Sequence, residues 1–145
     1  MSAVKGANRT ILDTEPRVKL DAGLVDGRVK VTHDTYEAST LANPSTIDMG
    51  GLIPTNAFVL YVLLTFDALG GSVTLDVGDD EDPNRYLNAV DASSAGGSIV
   101  PLVDGQGYQV DMTTASTPDN QLVVTVGGSG TATGTIKLSI IYTHD

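Results

Sequence analysis

The sequence predicts an all-β protein, an antiparallel β-sandwich of the jelly-roll type entered through an extended N-terminal arm. Thr, Val and Gly are abundant, at seventeen, sixteen and sixteen residues of 145, and this favours strands joined by tight turns over helices. Short alternating apolar runs recur at spacings of about 10 to 15 residues with turn residues between them, a rhythm of sandwiches rather than of parallel sheets. Charge is divided along the chain. The first thirty residues hold six of the eight basic residues against four acids, and the rest holds Arg85 and Lys137 against fourteen acids. A segment of net +2 therefore precedes a body of net −12, the asymmetry expected of an interaction tail on a domain.

Residues 1–27 carry Gly6, Pro16, Gly23 and Gly27 among scattered apolar residues. Neither a two-residue nor a 3.6-residue period persists there, so an arm with one or two short strands is expected. From Arg28 the pattern changes: Val29, Val31 and His33 alternate with Lys30, Thr32 and Asp34, which reads as a half-exposed strand to about Ala38. Asn43-Pro44 breaks the chain before a short strand, Thr46 to Met49. Ala57 to Asp67 is the strongest strand. Strict alternation would place Phe58, Leu60, Val62, Leu64 and Phe66 on one face and Val59, Tyr61 and Leu63 on the other. A strand apolar on both faces needs cover on both. The sandwich core supplies one cover; the arm, a loop or a neighbouring subunit must supply the other.

After the Gly70-Gly71 turn, Ser72 to Gly78 alternates with Val73, Leu75 and Val77 inward, and an acidic turn, Asp79 to Asn84, leads to a strand from Arg85 to Val90. Further strands are expected at Ile99 to Val103, Tyr108 to Met112, Leu122 to Val126 and Thr135 to Thr143. The boundaries that follow are an arm at 1–27 and a β-domain at 28–145, the latter large enough to enclose a core.

Composition excludes several function classes. There is no Cys, hence no disulfide or thiolate chemistry. The first twenty residues are charged throughout and lack the apolar run of a secretory signal, so a cytoplasmic origin is expected. The longest apolar stretch, Ala57 to Leu64, is far short of a membrane span. The acidic body repels phosphate, and the arm interleaves acids with its bases, so nucleic acid is not an expected partner. At 18% charged residues, below the roughly 25% of typical soluble domains, some apolar surface is expected to be covered by other chains.

No catalytic constellation stands out. His33 and His144 are the two imidazoles, and each reads as a surface or packed strand histidine. The serine-elbow, zinc-protease, phosphate-loop and dinucleotide fingerprints do not occur. Gly127-Gly128-Ser129-Gly130 precedes a strand and reads as a hairpin turn. The run Asp79-Asp80-Glu81-Asp82 offers hard oxygen ligands of the kind Ca²⁺ takes. Its spacing is not that of a calcium hand, and consecutive acids in a turn are usually just solvated. A carboxylate pair for glycoside hydrolysis would meet only in space, and the chain has no Trp to build a sugar platform. No enzymatic activity, cofactor or metal site is expected.

The layout as a whole resembles the head decoration proteins, or cement proteins, of tailed bacteriophages. The resemblance lies in the arm with Ala7-Asn8-Arg9-Thr10, in Asp26-Gly27-Arg28-Val29, in Ala68-Leu69-Gly70-Gly71-Ser72, in Val77-Gly78-Asp79-Asp80 through Arg85-Tyr86-Leu87, and in the terminal Thr135 to Tyr142. It implies a homotrimer of β-domains on the outer surface of the capsid, at three-fold and quasi-three-fold sites, with the major capsid protein as partner and arms that clamp neighbouring subunits. Ordering an arm of this length costs about 1–2 kcal/mol per residue, and exposed ion pairs return only about 0–1 kcal/mol each. Burial of Val4, Ile11, Leu12, Val18 and Leu20, at about 1.5–3 kcal/mol for each, would have to hold the arm, with Lys5, Arg9, Arg17 and Lys19 fixing register. Leu60, Tyr61 and Leu63 are the candidate trimer contact. The alternatives are a domain of another virion component, such as a fibre, spike or tail, and a carbohydrate- or Ca²⁺-binding sandwich module.

Overall fold

The computed structural model describes residues 27–49, 53–99, 108–110 and 121–145. The chain folds into two packed antiparallel sheets. Its strands are β1 (Arg28–Ala42), β2 (Ser45–Asp48), β3 (Phe58–Phe66), β4 (Val73–Gly78), β5 (Leu87–Asp91), β6 (Gly96–Ile99), β7 (Tyr108–Gln109), β8 (Val123–Gly128) and β9 (Thr131–His144). The first sheet runs β1-β9-β3-β6, with β7 also paired to β3, and the second runs β2-β8-β4-β5. The all-β sandwich expected from the strand rhythm is the fold observed. Among the described residues no helix is long and apolar enough to cross a membrane.

Alternation builds the core directly. Ile136, Leu138, Ile140 and Tyr142 of β9 lie beside Val59, Val62, Leu64 and Phe66 of β3, and all are buried. They face Val73, Leu75 and Val77 of β4 and Val124 and Val126 of β8 across the interface between sheets. Ile47, Met49, Ile53, Tyr86 and Leu87 close the ends of this cluster. Each such side chain contributes about 1.5–3 kcal/mol on leaving water.

The central strand departs from strict alternation. Its register against β9 shifts between Val59 and Tyr61, so Leu60 is the extra residue of a β-bulge. The bulge turns Val59 inward with Val62, Leu64 and Phe66, and leaves Phe58, Tyr61 and Leu63 on the outer face. A second irregularity lies in β1 between Ala38 and Leu41, where Thr40 takes a φ of 52° and donates its N–H to Thr133 Oγ1 at 3.1 Å.

Two turns meet at one end of the sandwich. Ser129 donates its N–H to the Ser72 carbonyl at 3.1 Å, which locks the β8–β9 hairpin onto the β3–β4 turn. Gly128 has a φ of +82°, and a Cβ there would sit 1.9 Å from the Ser72 carbonyl oxygen. Glycine is needed at this place for both conformation and space. Gly127 to Gly130 is thus a hairpin, as its position before a strand suggested.

Candidate functional site

The two outer faces of the sandwich differ in chemistry. In an antiparallel pair, residues directly opposite share a face. Three rows can therefore be read across the first sheet: Val29–Thr143–Phe58, Val31–Ile141–Tyr61 and His33–Ser139–Leu63. These rows contain no Asp, Glu, Lys or Arg. Val29, Val31 and Tyr61 are 65%, 59% and 52% exposed, while Ile141, Leu63, Phe58 and the bulge residue Leu60 are half-buried. The outer face of the second sheet carries exposed Asp48 and Asp91 and half-buried Asp76, placed among Thr46, Thr74 and Thr125 by the same pairing rule.

β1 is inverted relative to a strand made for water. It turns Val29 and Val31 outward and Lys30, Thr32 and Asp34 to the side of the buried residues Tyr142, Ile140 and Leu138. A one-residue slip would exchange the two sets, yet the register continues unbroken from Arg28 to Ala38. The sequence showed the alternation but not its direction, and the two valines did not stand out beside Leu60, Tyr61 and Leu63. The structure brings Tyr61 and Leu63 together with Val31 and Ile141 and sets Leu60 apart at the bulge.

The acidic turn between β4 and β5 is held by its own backbone and by Arg85. The Asp79 side chain is fully buried and that of Arg85 is 14% exposed. Asp79 Oδ1 accepts the N–H of Glu81 at 3.0 Å and of Asp82 at 2.8 Å, and Oδ2 pairs with Arg85 Nε. Arg85 also reaches Glu81 at 3.3 Å. Burial pushes the Asp79 carboxyl above the ordinary range, while Arg85 and the N–H groups of Asp82 and Glu81 pull it back. The oxygens of Asp79 are thus committed to the loop, and among the described residues no three His, Asp or Glu side chains converge as a metal cluster.

His33 Nδ1 lies 2.8 Å from Ser139 Oγ across β1 and β9. The pair sits exposed on an open sheet face. His144 Nε2 is 3.2 Å from the Thr55 carbonyl. Both behave as strand histidines. An open groove of about 220 Å³ is lined by Thr65, Phe66, Asp67, Gly96, Thr135 and Lys137. At its rim Asp67 accepts the Thr135 N–H at 3.0 Å, and the Thr135 backbone and hydroxyl donors hold the Asp67 carboxyl below the ordinary range. The arm residues Val4, Lys5, Arg9, Ile11, Leu12, Arg17, Val18, Lys19 and Leu20 lie outside the described residues.

Three solved structures that share this fold are of phage capsids. The chain is similar over its whole length to a chain of the cyanophage Pam1 capsid asymmetric unit, with 23% identity, all of both chains covered and a TM-score of 0.74. It is similar to a chain of the capsid of Ralstonia phage GP4, at 22% identity and a TM-score of 0.61 over 82% of this chain and 86% of that one. A chain of the acidic stable capsid of Helicobacter pylori bacteriophage KHP30 matches at 16% identity and a TM-score of 0.53, over 79% of this chain and 86% of that one. At these identities the likeness establishes the fold. No protein-family model and no curated protein matches the sequence.

Proposed function

We propose that the protein is a structural component of a bacteriophage capsid, a decoration protein that binds the outside of the shell as a trimer and clamps neighbouring capsid subunits. The observation that carries this reading is the whole-chain likeness to a chain of a phage capsid asymmetric unit, with both chains covered end to end. The strand order supports the jelly-roll form of the fold. The first strand lies beside the last in β1-β9-β3-β6, and the intervening strands form β2-β8-β4-β5, the alternation of two four-stranded sheets that two Greek keys produce.

The surfaces suit a structural role better than an enzymatic one. The histidines lie on an open strand or at the chain terminus, the acidic turn is satisfied internally, and among the described residues the broad feature left is the uncharged part of the first sheet's outer face. On this reading residues 1–27 reach onto the shell: their apolar residues supply the binding energy and Lys5, Arg9, Arg17 and Lys19 meet acidic groups of the capsid protein. Three arms on one trimer raise the effective concentration of the second and third once the first has docked.

The test is sedimentation with heads of the parent phage assembled without this protein. Full-length protein and a version comprising residues 28–145 are each mixed with heads, after circular dichroism has shown that both are folded. The reading expects full-length protein in the head pellet and the truncated form in the supernatant. Full-length protein left in the supernatant at micromolar concentration overturns it.

A further inference from the structure

We propose that the outer face of the first sheet, centred on Val31, Tyr61 and Ile141, is the contact between copies of this chain, and that the acidic outer face of the second sheet points away from it. This deepens the self-association within the reading above and rests on that part of it.

Register is the first argument. Val29 and Val31 stand more than half exposed at one edge of the sheet, in line with Ile141 and Tyr61, while polar residues of the same strand face the interior side. Apolar-out alternation on an edge strand invites association. It is consistent with a face that meets another surface in the working assembly.

Charge is the second argument, and it selects a copy of the chain as the occupant. In a closed symmetric oligomer, residues near the axis meet their own counterparts. Any charge there faces its own sign, a juxtaposition that costs several kcal/mol. A chain of net charge −10 therefore meets its own copy at the axis at least cost through a neutral region, and the three rows across β1, β9 and β3 form one, with Lys137 and Glu37 in the rows beyond. A contact with a different, oppositely charged protein carries no such penalty, and it would draw on the acids that this chain has in excess and shows on the second sheet.

Area is the third argument. Three strands about 4.8 Å apart and three rows about 7 Å apart give roughly 130–300 Å² of flat sheet. A stable contact buries about 800 Å² per partner, so the patch is the dry centre of a larger contact, with His33, Ser139 and Thr143 towards its rim. Tyr61 stands in the central row as an apolar ring with a hydroxyl, one of the residue types enriched at the anchors of such contacts.

The test uses full-length protein and three single variants: Val31→Asp, Tyr61→Asp and, at an exposed position of the second sheet, Thr46→Asp. Each is run by light-scattering chromatography over a hundredfold range of concentration, with circular dichroism melts to establish folding, and each is sedimented with heads. The expected result is an oligomeric wild type, an oligomeric Thr46→Asp, and Val31→Asp and Tyr61→Asp that are folded and dissociate at tenfold or more higher concentration. A monomeric wild type, or variants with wild-type mass, overturns the inference. If such variants keep their mass but no longer sediment with heads, the face is the shell contact, and the inference falls while the decoration reading stands. If the wild type fails to sediment while self-association responds as expected, the decoration reading falls and this one stands.

Discussion

Replacing Asp79 by Asn separates a structural turn from a cation site. The substitution keeps Oδ1 as acceptor for the N–H groups of Glu81 and Asp82, at 3.0 and 2.8 Å, and removes the negative charge opposite Arg85. Breaking a buried ion pair costs about 3–5 kcal/mol when the survivor stays dry. Arg85 retains Glu81 at 3.3 Å and is 14% exposed, so part of its charge remains compensated. Burial already raises the Asp79 carboxyl against the pull of Arg85, so removing that charge recovers part of the cost, and the expected loss falls below that range, at about 2 kcal/mol. At about 2–4 °C per kcal/mol for a chain of this size, the melting temperature should fall by roughly 4–8 °C. Asp80→Asn, at an exposed position of the same turn, should shift stability by less than about 0.5 kcal/mol. The assay is thermal unfolding followed by circular dichroism, in EDTA and again in 1 mM Ca²⁺. Equal shifts for the two variants would refute the argument. So would a Ca²⁺-induced rise of several degrees in the wild type that Asp79→Asn abolishes, because a ligand stabilises only through binding to the native state.

The β3 bulge predicts opposite fates for two residues that strict alternation puts on one face: Val59→Asp should prevent folding and Tyr61→Asp should leave a cooperative melt, as circular dichroism would show; two folded variants would remove the bulge from the account. Gly128→Ala should cost more than about 2 kcal/mol through a left-handed φ and a backbone clash, whereas Gly71→Ala, with open space around its Cβ position, should cost little. Equal urea midpoints for those two would contradict the packing of the turns. Asp67 has a folded pKa below its unfolded one, so it adds stability that is present above the unfolded value, near pH 4, and is lost as pH falls through the folded value. Asp67→Asn keeps an acceptor but no charge. It should be less stable than wild type at pH 6 and approach it as pH falls below about 4 through the folded value, and a pH-independent difference in urea midpoint would refute the linkage.

The parts of the fold that follow from local rules were legible. Alternation located β1, β3, β4, β8 and β9, and the glycine-rich turns fell where expected, because period-2 patterning and turn chemistry are written in neighbouring residues. What depends on pairing was not. β5 begins at Leu87 rather than Arg85, since Arg85 is drawn back to Asp79. The Leu60 bulge is set by register against β9, which lies some eighty residues away in sequence, and it reversed the expected side of Val59. The outward turn of Val29 and Val31 is likewise decided by which strand they meet. Of the candidate site, Tyr61 and Leu63 were found because a doubly apolar strand is conspicuous, whereas valines in a half-polar strand look like ordinary core. Asp79 looked like any solvated acid, because only the folded turn places Arg85 beside it.

The central claim is that this chain strengthens a phage shell, and the most direct test is the temperature at which filled heads release their DNA. Heads lacking the protein are heated with a DNA-binding dye, alone and after saturation with the full-length chain. The account predicts release at a clearly higher temperature in the saturated sample, with the gain removed when residues 1–27 are deleted. Release at the same temperature with the protein demonstrably bound would contradict it.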